Sequence, residues 1–156
     1  MKTCIVIYNP NSGHTLKKKD IPKYKKIIES YDYKVNFFGT KYKGNAREIV
    51  SHIGYVDLVI SMGGDGTFDE VVYGNLERNE RLLIAHIPIG TTNDIGIMFG
   101  YGSNTEKNIK ACLTGTIKEI DIPLINQRPF VYVAGFGKFL DIPCGSGKKY
   151  KQCCGK

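Results

Sequence analysis

Three short segments carry residue types whose spacing suits the handling of phosphate. The run Gly63-Gly64-Asp65-Gly66-Thr67 sets three glycines around one carboxylate, directly after the apolar stretch Leu58-Val59-Ile60. Glycine lacks a Cβ, so such a loop can take positive φ and bring consecutive N–H groups up to a bulky anion. Thr67 is read as opening a helix whose N-terminus adds partial positive charge for a phosphate. A lone carboxylate among phosphates makes sense if Asp65 faces a divalent cation or a hydroxyl proton, as metal anchor or general base. The segment has no Walker lysine and does not follow the G-x-G-x-x-G spacing, which excludes both of those phosphate motifs. Glycines after a strand also make plain tight turns, and two companion segments shift the reading toward a site.

The first companion is Asn9-Pro10-Asn11-Ser12-Gly13. Pro10 fixes φ and Gly13 frees it, while Asn9, Asn11 and Ser12 are small hydrogen-bonding groups suited to ribose or phosphate oxygens. Taken alone it also reads as a turn with an Asx cap. The second is Pro88-Ile89-Gly90-Thr91-Thr92-Asn93-Asp94, with two hydroxyls followed by Asn93 and Asp94 as a helix start.

The elements that must position these segments alternate as in a doubly wound α/β fold. Apolar runs predict strands over residues 3–8, 33–38, 56–61 and 81–88. Helical stripes lie between them: Ile21, Tyr24, Ile27, Ile28 and Tyr31; Ala46, Ile49, Val50 and Ile53 behind an Asn45 cap; Phe68, Val71, Val72 and Leu76. A further helix is predicted over about residues 104–114, with Cys112 on its core side. Two strand-like runs follow, 117–124 and 130–133, joined by a hairpin turn at Asn126-Gln127. Parallel strands deliver their C-terminal loops to one edge, so the three segments are expected to meet there.

Composition bounds the reading further. The chain has 156 residues, 42% hydrophobic and 24% charged, which is ordinary for one globular domain. No run approaches a membrane span, and the first apolar run, ended by Asn9-Pro10, is too brief for a signal peptide. A cytoplasmic protein with reduced thiols is therefore expected, its five cysteines not forming a disulfide framework. Of the net charge of +7, most lies from Lys138 onward. That basic excess reads as a solvated face rather than a nucleic-acid site, and would also suit anionic phosphates or an acidic lipid surface.

In their order and spacing, the segments at 9–13, 63–74 (GGDGTFDEVVYG) and 88–94 resemble the catalytic domain of diacylglycerol kinases and related bacterial lipid kinases. The run RPFVYVAGFGKFLDI at 128–142 is also similar to that family, so the resemblance covers residues 1–142. It implies a Rossmann-like, mostly parallel sheet and transfer of a phosphoryl group from ATP, with Mg²⁺, to a lipid hydroxyl such as that of diacylglycerol at the inner face of the membrane. By motif position it implies nucleotide contacts from Asn9, Pro10, Asn11, Ser12, Gly13, Thr40, Gly63, Gly64, Asp65, Gly66, Thr67, Phe68, Asp69, Glu70, Gly90, Thr91, Asn93 and Asp94. Asp65 is the catalytic candidate and the implied Mg²⁺ anchor.

The sequence departs from the family at several points. Asp69 stands where the family usually has Asn, which adds negative charge beside the nucleotide, and His14 is unusual after the first segment. The family's second, β-rich domain, carrying the lipid pocket, is expected to be missing, which would bare apolar surface near residues 130–139 and favour a homo-oligomer. In its place, residues 143–156 resemble the SEC-C zinc motif, with Cys144, Cys153 and Cys154 as Zn²⁺ ligands and Ile142 at the first ligand position. Structural zinc takes four ligands, so three cysteines predict weak or partial binding. A second reading is a non-catalytic nucleotide-binding module whose zinc-type tail docks an acidic partner or nucleic acid.

Overall fold

The computed structural model describes residues 1–11, 16, 18–91 and 93–131. Strands β1 (Lys2–Tyr8), β2 (Tyr33–Gly39), β3 (Leu58–Gly63) and β4 (Ile84–Pro88) form one parallel sheet in the order β2-β1-β3-β4. Parallel neighbours need long crossovers, and α1 (Ile21–Glu29), α2 (Asn45–His52) and α3 (Asp65–Leu76) supply them. Helices α4 (Asp94–Met98) and α5 (Thr105–Thr114) follow β4, and a short antiparallel hairpin, β5 (Leu124–Ile125) with β6 (Arg128–Pro129), comes after them.

The chain moves from β1 to β2 in one direction and on to β3 and β4 in the other, so its helices fall on opposite faces. Ile28 of α1 and Ile109 of α5 pack with Cys4, Val6, Ile60 and Met62 on one face. Ala46 and Val50 of α2 and Val71 of α3 pack with Ile5, Ile7 and Val59 on the other. All six residues of β3 are buried, as its unbroken apolar start requires for a central strand covered on both faces. Cys4 is buried and Cys112 packs against the same cluster, in line with its predicted core position. Burial pushes both thiols up to about 12.

Boundaries differ from the sequence reading where side chains intervene. The strand expected from Arg81 begins at Ile84, because Leu82 is tied to the end of α3 instead. Leu82 N–H donates to Asn75 Oδ1 at 2.9 Å, and Asn75 Nδ2 donates to the Leu82 carbonyl at 3.0 Å. Asn45 does not cap α2: Gly44, at φ +90°, holds that position, and Asn45 Oδ1 accepts from Lys41 N–H at 3.0 Å. Glu70, reaching across from α3, takes the Gly44 and Ala46 amides at 2.8 and 3.2 Å. The run 117–124 is strand only at its end, with Ile117 and Ile120 exposed. Its partner is two residues long and ends in a proline, which cannot extend a ladder. The turn at Asn126 and Gln127 forms as expected, both residues at positive φ.

Helices α2 and α3 cross at Gly74, where a Cβ would lie 2.3 Å from the Arg47 carbonyl oxygen. The Arg47 guanidinium sits 3.8 Å from the Tyr73 ring centre and pairs with Glu77. No helix among the described residues is long and apolar enough to cross a membrane. The buried clip between Asn75 and Leu82 gives a direct test. Asn75→Ala strands a buried N–H and C=O and should destabilise the fold by on the order of 3 kcal/mol in urea denaturation; a loss below about 0.5 kcal/mol would refute that role.

Candidate functional site

Strand register sets the site. Tyr8 pairs with Gly39 and with Met62, and Gly63 pairs with Pro88, so the four strands end level. The loops after them therefore leave from one edge, beside the reversal between β1 and β3 where open α/β sheets bind ligands. Asn9–Asn11, Gly63–Thr67, Ile89–Thr91, Asn93 and Asp94 are all brought to this edge, as the sequence predicted; Ser12, Gly13, His14 and Thr92 lie outside the described residues.

Gly63 and Gly90 serve close approach rather than unusual φ. None of Gly63, Gly64, Gly66 or Gly90 has positive φ, which corrects the expectation of a left-handed loop. Gly64 is extended, with φ −87° and ψ −179°. A Cβ on Gly90 would lie 2.5 Å from the Gly64 Cα, so the two loops cross backbone on backbone. Ile89 N–H donates to the Gly63 carbonyl at 2.9 Å, continuing the sheet ladder into the crossing. A Cβ on Gly66 would meet nothing within 4 Å, which leaves the loop tip open on one side. Thr67 does not open the helix: α3 begins at Asp65, and the Thr67 hydroxyl folds back over Gly63, 2.7 Å from where a Cβ would stand.

Asp65 joins the crossing from the side. Its Oδ2 accepts from Asp94 N–H at 3.1 Å and its Oδ1 from Ile95 N–H at 3.2 Å, so a residue of the first glycine loop caps α4, the helix after the second. Asn93 reaches this turn in the left-handed region, φ +54°, and its Nδ2 donates to the Gly90 carbonyl at 2.7 Å. Each Asp65 oxygen keeps a second lone pair, which suits a hard cation. No group of three His, Cys, Asp or Glu that could cage a metal occurs among the described residues, so a cation here would draw its remaining ligands from phosphates and water, as Mg²⁺ commonly does.

The other predicted residues divide by role. Thr40 N–H donates to the Tyr8 carbonyl at 2.8 Å, which holds the β2 loop to the end of β1. Asn9 Oδ1 accepts from Asn11 N–H at 2.8 Å, an Asx turn that shapes the first loop. Thr91 is exposed at the edge, and Asp94 is half-buried beside it at the start of α4. Phe68 is buried beneath the loop, and the Glu70 carboxylate is taken by the start of α2, so both side chains support the edge from below and beside it. Asp69 is half-buried and faces the Val131 N–H; burial raises its carboxyl above the usual range, with that amide pulling the other way.

Sequence reading missed Ser61 and His86, which looked like ordinary strand positions. They are register partners on β3 and β4, both buried, and the His86 ring stacks on Phe68 with centres 4.7 Å apart. Burial pulls the imidazole down to about 4, with the Asp65 charge opposing, so it is neutral at physiological pH. A histidine inside an otherwise apolar strand was the available signal.

A parallel sheet wound both ways from β1, with crossed glycine loops and a carboxylate at the reversal, defines the doubly wound α/β domains that bind ligands at their strand ends. Residues 3–125 match the family model of the diacylglycerol kinase catalytic domain, and residues 143–156 match that of the SEC-C motif. The chain is 31% identical over 159 residues to a diacylglycerol kinase of Bacillus subtilis (strain 168), an alignment covering 100% of this chain and 52% of that protein. It is 31% identical over 157 residues to one from Staphylococcus aureus (strain Newman), covering 99% and 50%. The crystal structure of a diacylglycerol kinase from Bacillus anthracis str. Sterne superposes with a TM-score of 0.71 at 28% identity, covering 83% of this chain and 49% of that one. The chain belongs to the diacylglycerol kinase catalytic-domain family, and it spans about half the length of these relatives.

The crossing can be probed directly. Gly90→Ala drives a methyl group into the Gly64 backbone and should destabilise the domain by about 1–3 kcal/mol in thermal or urea melts; an unchanged melt would show that the loops do not touch there.

Proposed function

We propose that this chain is the ATP-binding part of a lipid kinase, which moves the γ-phosphoryl group of ATP to a lipid hydroxyl such as that of diacylglycerol. The observation that supports this most is the crossing of Gly64 on Gly90, with Asp65 spanning the loops after β3 and β4, beside the strand-order reversal. Bare glycine backbone gives phosphate oxygens close access to amides, and the open side of Gly66 gives them room. Asp65 is the residue to anchor Mg²⁺, which when bound neutralises phosphate charge. A groove of about 600 Å³ runs from the end of β2 along α2, lined by Phe37, Gly39, Lys41, Tyr42 and Asn45 among others. It lies beside Thr40 and would take the ribose or base end of the nucleotide.

In the transfer, the bond from the γ-phosphorus to its bridging oxygen breaks, the lipid oxygen bonds to phosphorus, ADP leaves and the hydroxyl proton passes to a base. By the family resemblance, the lipid pocket and that base belong to the part of such kinases that this chain does not span. Turnover then requires that part, and the chain alone binds nucleotide. A non-catalytic nucleotide-binding module is the second reading, favoured by that half-length span.

Calorimetric titration should show MgATP binding at or below about millimolar Kd, weakened at least tenfold by Asp65→Ala and by omission of Mg²⁺. Absence of binding at millimolar ATP would end the kinase reading. Radiolabel transfer from ATP to diacylglycerol once the remaining part of such a kinase is supplied in trans, lost in Asp65→Ala, would favour the enzyme over the module. For the tail, we propose partial zinc binding by Cys144, Cys153 and Cys154. Metal analysis of freshly purified, reduced protein should recover less than one zinc per chain, released by a triple Cys→Ser variant; recovery of none would remove the proposal.

A further inference from the structure

The loop between β2 and α2 is fastened more firmly than a plain crossover requires. Thr40 N–H donates to the Tyr8 carbonyl at 2.8 Å, Lys41 N–H to Asn45 Oδ1 at 3.0 Å, and Asn45 N–H to the Tyr42 carbonyl at 3.2 Å. Glu70, on the helix that Asp65 begins, takes the Gly44 and Ala46 amides. The loop is thereby fixed both to β1 and to the helix that starts at the glycine crossing. Whatever it displays is held in place relative to the phosphate-handling edge.

It displays one wall of the groove beside Thr40. Tyr42 and Phe38 present aromatic rings there, 58% and 43% exposed, and Ile49 adds further apolar lining. Exposed rings in an apolar bed suit a flat heteroaromatic ligand. The polar part of the wall is Glu48. The Tyr42 hydroxyl donates to Glu48 Oε2, and Asn45 Nδ2 donates to the same oxygen at 3.3 Å. These bonds restrain the Tyr42 ring and hold the Glu48 carboxyl below the usual carboxylate range. Both donors fall on Oε2, so Oε1 is left as an acceptor facing a ligand. The groove also lies at the right remove from the phosphate loops. In the order β2-β1-β3, β2 stands two strand spacings, about 10 Å, from β3. Both strands end level, since Tyr8 pairs with Gly39 and with Met62. A nucleotide with its phosphates at Gly63–Thr67 reaches the end of β2 through its ribose.

We propose that Tyr42 and Glu48 select the base of the bound nucleotide, the Tyr42 ring stacking on a purine and Glu48 Oε1 accepting from the amino group of adenine. The inference rests on the nucleotide-binding reading and gives it a base specificity. Adenine offers the carboxylate an amino donor, whereas hypoxanthine carries a carbonyl at that position and sets lone pair against lone pair.

Calorimetry of the full chain with MgATP, MgITP and magnesium tripolyphosphate reads the base separately from the phosphates. The wild type should bind ATP about tenfold tighter than ITP, Glu48→Ala should level the two, and Tyr42→Ala should weaken both about tenfold, with tripolyphosphate bound equally by all three proteins. Equal affinity for ATP and ITP in the wild type, a preference kept in Glu48→Ala, or wild-type ATP affinity in Tyr42→Ala would overturn the proposal and leave the kinase reading standing. So would tripolyphosphate weakened as much as ATP in the variants, since the two side chains would then only hold the loop. Adenosine, followed through the Tyr42 and Glu48 amide resonances, separates the two failures. If no triphosphate binds, the kinase reading fails; adenosine that still moves these resonances in the wild type and not in Tyr42→Ala keeps the groove as a base site, and adenosine that moves neither removes it.

Discussion

Everything at the carboxyl edge of the sheet depends on two loops being allowed to touch. Gly64 and Gly90 meet with no side chain between them, and the contact is possible only because Gly90 carries no Cβ, which would stand 2.5 Å from the Gly64 Cα. Once the backbones are that close, Asp65 is within reach of the first amides of α4, and a five-residue helix that could not stand alone acquires a cap. The carboxylate therefore has a structural occupation before any ligand arrives. A cation entering the edge would meet a group already oriented by two N–H donors, so little ordering remains to be done on binding.

The same economy recurs one layer out. Glu70 is on α3 but serves α2, and Asn75 is on α3 but serves the chain entering β4. With Asp65, three acceptor side chains of a single helix fasten three different neighbours. The short α2·α3 crossing at Gly74 completes the attachment. Helix α3 is thus the element through which the loops, the second crossover and the last strand of the sheet are held in register.

Much of this was legible in the residues. Alternating apolar runs and helical stripes specify the sheet and its crossovers, and the parallel connection forces the three segments to one edge. The reason for the glycines was not legible, because close approach and positive φ leave the same mark in a sequence. Nor was the cap on α2: Asn45 has the right chemistry, but Glu70, 25 residues later, wins by tertiary contact. The hairpin turn could be read from Asn126-Gln127, whereas the length of its strands could not, since Ile117 and Ile120 find nothing to cover them. His86 was invisible for a related cause: its ring packs on Phe68, which is distant along the chain and adjacent only in the fold.

The two cysteines in the body of the domain, Cys4 buried and Cys112 half-buried, have a practical consequence. With both sulfurs held as thiols well above neutral pH, neither offers the thiolate that alkylating dyes and oxidants attack. Both thiols should react slowly in the native protein and readily once denaturation removes that burial. The reactivity of Cys4 and Cys112 is thereby a gauge of whether the body is folded.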